Sequence, residues 1–238
     1  ADITLDQSGS TFGTLAITGA NVAVTENAAM DLGASTISGT ASFNSTSNAI
    51  TDSGTLAITG ATTLNSGSAD ITLNEASSTF GTLVLTGANV AVTENAATDL
   101  GASTVSGTFG ITSGGAITDS GTLAITGDAT FTNTSGSNDA ITLDDAGNAF
   151  AGTVTFATDS GSAVTIVDTT ALDLKALSAV SLSVTAGGAV TDSGTLAITG
   201  VTTINSGSAD LTLNEASSTF GTLVLTGANV AVTDAGAA

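Results

Sequence analysis

The stretch TDSGTLAITG at residues 51–60 recurs without a change at 118–127 and again at 191–200. A second block, TFGTLVLTGANVAVT, stands at 79–93 and 219–233, and a near-copy, TFGTLAITGANVAVT, at 11–25. The two blocks define one cassette of 68 to 70 residues, repeated over 1–68, 69–138 and 139–208, with a partial fourth copy at 209–238. Repetition at this period marks a stacked architecture, in which a unit buries its apolar face only against its neighbours.

Inside the repeated block, TDSG has the composition of a turn and TLAIT alternates apolar and polar residues with a period of two. The closing Gly marks the next corner. The same alternation runs through Asp2-Ile3-Thr4-Leu5, Gly13–Thr18 and Asn21–Thr25, and Pro is absent. These are strands of about four to six residues. The pattern predicts an all-β parallel β-helix (β-solenoid), a single rod over 1–238. Three strands per coil give about 22 residues per coil, three coils per cassette, and roughly ten or eleven coils in a rod on the order of 50 Å long. Only Thr169–Val180 has a helical look. In cassette register its Asp173-Leu174-Lys175 matches Asp31-Leu32-Gly33 and Asp99-Leu100-Gly101, which predicts a strand and turn. Phe12, Phe80, Phe150 and Phe220 share one cassette position and are expected to fill the core at a roomy corner. Gly13, Gly19, Gly54, Gly60 and their copies are expected to supply turns with positive φ.

Composition excludes several classes of function. There are 21 acidic residues, one basic residue (Lys175) and no His, for a net charge of −20. Nucleic-acid binding draws its affinity from Lys and Arg on phosphates and is not expected. The apolar runs are too short to span a membrane. With no Cys or His, thiol and imidazole chemistry are out. No Ser has a base in its sequence neighbourhood, so no enzymatic activity is expected. The chain opens inside a repeat, at Ala1, and is expected to be a processed form or an excerpt of something longer. Lys175 replaces a turn Gly and is expected to be a surface substitution or a local partner of Asp173 or Asp168.

The acids recur in register: Asp52, Asp119 and Asp192 in TDSGT, and the pairs Glu26/Asp31 and Glu94/Asp99 in the TENAA segments. Equivalent acids are expected three coils, or ~15 Å, apart, beyond the screening length of ~8 Å at physiological salt. Most fit solvated turn residues. As a set they are also the candidates for peripheral Ca²⁺, although neither the EF-hand spacing nor a glycine-rich calcium nonapeptide is present. No other cofactor is implied. A glycosidase pair is disfavoured, because Asp144-Asp145 is the only adjacent pair of acids and neighbours on a strand or turn point apart. No sustained Thr-x-Thr row is evident that would suit ice binding, and no Trp or Tyr stacks sugars.

The phrases ITLNEASSTFGTLVLTGANVAVT (71–93), LGASTVSGTFGITSGGAITDSGTLAITG (100–127) and TTLNSGSADITL (62–73) resemble the stalk repeats of large bacterial exoproteins, the filamentous-haemagglutinin-like adhesins. The resemblance covers essentially the whole chain. It implies a right-handed parallel β-helix, secretion to the cell surface, and an elongated fibre in attachment or biofilm with an unidentified receptor. No catalytic residue is carried over. A self-assembling filament or surface-layer subunit is the alternative, with coils stacking head to tail through open ends. A carbohydrate-binding or ice-binding solenoid is a further one.

Overall fold

The computed structural model describes residues 1–159 and 161–236. Among them there is no helix; 30 short strands follow one another from Ile3–Leu5 to Val230–Val232. Every pairing between strands is parallel and joins one coil to the next. The result is a β-solenoid of about 11 turns. Alternate residues point inward, so strands such as Thr82–Gly87 alternate between buried and half-buried positions along their length.

Twelve strands stack into each of two broad faces. Face A begins with Ile3–Leu5, Val22–Thr25, Ala41–Asn44 and Thr62–Asn65. Face B begins with Thr14–Leu15, Met30–Leu32, Ile50–Asp52 and Ile71–Leu73. A narrow third side closes each coil. In the first coils it is Thr18–Gly19, Ser35–Ile37 and Leu56–Ile58 on the path from face B to face A. Further along, Ser103–Val105, Leu123–Ile125 and Ala149–Phe150 form it on the path from A to B. In the last coils it returns to its first position, where Leu177 pairs with Leu196 and Ile198 with Phe220.

This exchange of sides has a simple cause. The sequence predicts a whole number of coils per cassette, but the coils are irregular and on average shorter than 22 residues. They run from 17 residues, Leu83 to Leu100, to 25, Ala129 to Val154. A cassette therefore makes about three and a half turns, and each copy of an element lands on the face opposite the previous one. Ile3–Leu5 and Ile141–Leu143 lie in face A, whereas their cassette equivalents Ile71–Leu73 and Leu211–Leu213 lie in face B. The rod thus has an approximate screw repeat: a half-turn and ~17 Å per cassette at ~4.8 Å per rung.

The core is one continuous column of Val, Ile, Leu and Phe along the axis. Phe80, Phe150 and Phe220 are buried and Phe12 packs against the core, as their shared position implies. Phe131 adds a local aromatic centre: it stacks on Phe156 at 5.7 Å and meets Phe109 and Phe150 edge-on at 5.8 and 6.1 Å. The segment with helical composition is the strand Leu172–Ala179, in cassette register: Asp173 sits beside Thr153 as Asp31 sits beside Thr14.

The glycines work differently from expectation. Positive φ is confined to Gly67, Gly136 and Gly207 among them. Gly54, Gly121 and Gly194 of the TDSG turn are needed for close approach instead: a Cβ there would run into the backbone of Ala34, Ala102 and Lys175 on the adjoining coil. At Gly60 a Cβ would come within 2.6 Å of the Gly39 carbonyl oxygen.

Candidate functional site

The recurring acids are hydrogen-bond acceptors that join one coil to the next. Asp52 accepts from the Asn74 amide at 2.8 Å and the Glu75 amide at 3.2 Å. Asp119 takes the amides of Asp144 and Asp145 and the side chain of Asn148, and Asp192 those of Asn214 and Glu215. In each case a carboxylate leaving a strand holds the turn of the following coil, whose amides have no ladder partner there. Asp31 accepts the hydroxyls of Thr14 and Ser53 at 2.6 and 2.8 Å, and Asp99 repeats this with Thr82 and Ser120 at 2.8 and 2.9 Å. Each of these two carboxylates clamps three successive coils.

Glu26 and Glu94 are buried in the wall of the rod. Their Oε2 atoms accept the amides of Phe12 and Phe80 at 2.7 and 3.1 Å. Asp168 and Asp234 reach the amides of Phe150 and Phe220 from the same cassette position. The other oxygens of Glu26 and Asp168 are enclosed without a partner. Glu94 Oε1 has no well-aligned partner, although the Thr98 hydroxyl is near enough to favour the ionised form. Burial dominates and pushes the Glu94 carboxyl up to about 7. Burial likewise raises Asp119 and Asp168 above the ordinary carboxylate range, against the hydrogen bonds they accept.

The seven acids Glu26, Asp31, Asp52, Glu94, Asp99, Asp119 and Asp192 are therefore not brought together. Among the described residues no three acids converge on a point that could hold a metal ion. Because of the half-turn per cassette, Asp52 and Asp192 belong to face B and Asp119 to face A. No two of the TDSG aspartates in neighbouring cassettes share a face.

The residues that complete this wall do not stand out in the sequence. Ser35, Ser78, Ser103, Ser218 and Asn148 are buried, and each accepts an amide of the coil below: Ile17, Leu56, Leu85, Leu196 and Leu123 respectively. A second relay runs outside: Asn21 donates to Asp2 and accepts from the amide and hydroxyl of Thr40, and Asp70, Asn89 and Thr108 repeat it. Their signal is their recurrence, Ser in GAS and SST and Asn in GAN. In a chain this rich in Ser and Asn it does not separate from background.

Lys175 stands where Gly33 and Gly101 stand in the other cassettes. The strand bulges to take it: Val154 pairs with Leu174, but Thr155 pairs with Ala176. Its charge bears on Asp128, whose carboxyl is held below the ordinary range first by hydrogen bonds from Thr153 and then by this lysine.

No helix among the described residues is long and apolar enough to cross a membrane. Comparison with curated proteins and with solved structures returns no match for the chain. A family match covers most of it in three tandem units, residues 19–86, 87–157 and 161–227, each close to one cassette and offset from it in phase. The chain belongs to the family described as Repeats of unknown function (DUF5649).

Proposed function

We propose that this chain is a length-building segment of an extracellular fibre on a bacterial surface, structural or adhesive and without catalysis, of the filamentous-haemagglutinin-like kind. The observation that supports this most is the use of the polar side chains. The acids that recur once per cassette, with buried Ser and Asn beside them, are taken up in fastening one coil to the next. Such a stack extends by adding cassettes, and each addition brings its own fasteners. The formal net charge of −20 opposes side-by-side aggregation of such rods. Immunogold labelling of intact source cells is the test: label along surface fibres is expected, and label confined to the cell interior overturns the reading.

The alternative assembly is a filament or surface layer in which separate copies stack end to end. The uniform parallel pairing favours it: the backbone ladder that joins one coil to the next would equally join one copy to another. Electron microscopy of the purified chain decides. Filaments many times longer than the rod's ~50 Å support stacking, and uniform single rods remove it. Peripheral Ca²⁺ is tested by melting with and without a chelator, where an unchanged midpoint removes it.

A further inference from the structure

Two departures from the other copies, one in the second cassette and one in the third, lie near one recess, and the first of them lines it. Asp128 replaces Ala61 and Val201 of the other copies, and Lys175 replaces Gly33 and Gly101. Asp128, Thr153, Asp173 and Thr191 occupy four successive rungs at the margin of face B. They line a recess of about 300 Å³ whose remaining wall is Ala151, Gly152, Ala171, Leu172 and Ala189. The Thr–Asp–Ser clamp formed by Thr14, Asp31 and Ser53, and by Thr82, Asp99 and Ser120, is absent from the equivalent Thr153, Asp173 and Ser193. Thr153 instead turns to Asp128, which accepts its amide at 2.9 Å, and Asp173 Oδ1 is enclosed without a partner.

We propose that this recess is a binding site for a saccharide unit of a neutral, linear glycan lying along the rod axis. A small apolar recess with a few convergent polar groups is the usual form of a small-molecule site. Here the carboxylates of Asp128 and Asp173 and the hydroxyl of Thr191 are spread over four rungs at ~4.8 Å per rung, offering charge-assisted acceptors and a hydroxyl partner to successive sugar hydroxyls. The alanine wall suits the C–H faces of a pyranose. A cationic ligand fits worse here than elsewhere on the rod, because the chain's only lysine already bears on Asp128. Among the described residues no third acid joins Asp128 and Asp173 to hold a metal. The proposal goes beyond the fibre reading, which needs no pocket and survives its failure.

The test is an amide NMR titration of the whole chain with cellotriose, with calcium chloride as a separate arm. Saturable shifts at millimolar sugar, confined to residues 128, 152–153, 171–173 and 189–191, are expected. Asp128→Ala restores the residue type of the first cassette and should keep the melting midpoint while weakening binding at least tenfold. Lys175→Gly, which restores the glycine of the first two cassettes, should leave binding within threefold. Absence of saturable shifts overturns the proposal. So do shifts unaffected by Asp128→Ala, and shifts produced by calcium but not by cellotriose.

Discussion

At the scale of single residues, close stacking makes identical substitutions unequal. Gly194→Ala or Gly121→Ala would drive a methyl into the backbone of the adjoining coil, whereas Gly13 has open space around it. Overpacking of this kind costs about 1–3 kcal/mol. Chemical denaturation should show that loss for the first two variants and almost none for Gly13→Ala. Thr62 and Thr202 are fully buried with hydroxyls that have no partner. Thr62→Val should therefore stabilise the rod by about 1 kcal/mol, since an unsatisfied polar group is removed at constant shape. Glu94 sets a pH dependence. Below its unfolded value of 4.5 both states carry the proton; between there and about 7 the unfolded chain ionises first and the folded one keeps its proton. Stability contributed at acid pH is thus lost as the pH rises through that window, and Asp119 and Asp168, also raised by burial, act in the same direction. Asp128, exposed and held low, acts in the opposite one. The melting midpoint should fall from pH 4.5 to 7, and Glu94→Gln should flatten the fall.

At the scale of the element, the buried serines replace ladder hydrogen bonds at the corners, where the chain turns between faces. Ser78→Ala leaves the Leu56 amide enclosed without an acceptor and should cost about 1–3 kcal/mol, read by denaturant unfolding. Strands and turns were legible in the sequence because their signal is local. Alternation in TLAIT and TLVLT gives the inward residues, and the repeat shows that Leu172–Ala179 continues the pattern despite its helical composition. The role of Asp52, Asp119 and Asp192 was not legible, since it depends on which amide of a residue 22 or more positions later lies opposite. The glycines misled for the same reason. Their constraint is a neighbouring coil's backbone, which has no trace in the local sequence. Of the proposed sugar recess, only the substitution at Asp128 shows in the sequence, and its convergence with Asp173 requires the register.

At the scale of the whole molecule, the cassette period and the coil period do not match, and the half-turn left over decides what the rod displays. Every surface motif is presented on alternating faces, about seven rungs or ~34 Å between copies on the same side. A fibre built this way offers the same chemistry to partners on both sides and keeps equivalent acids of neighbouring cassettes apart. Spin-label distances test this most directly, with cysteines at the outward positions Thr4, Thr63 and Thr72. Thr4 and Thr63 lie on face A three rungs apart, through Ala23 and Ser42, whereas Thr72, the cassette equivalent of Thr4, lies on face B. The account predicts about 14 Å between the backbones of Thr4 and Thr63, and more than about 20 Å between Thr4 and Thr72, whose labels point away from each other across the rod. A Thr4–Thr72 distance as short as that of Thr4–Thr63 would place both on one face and contradict it.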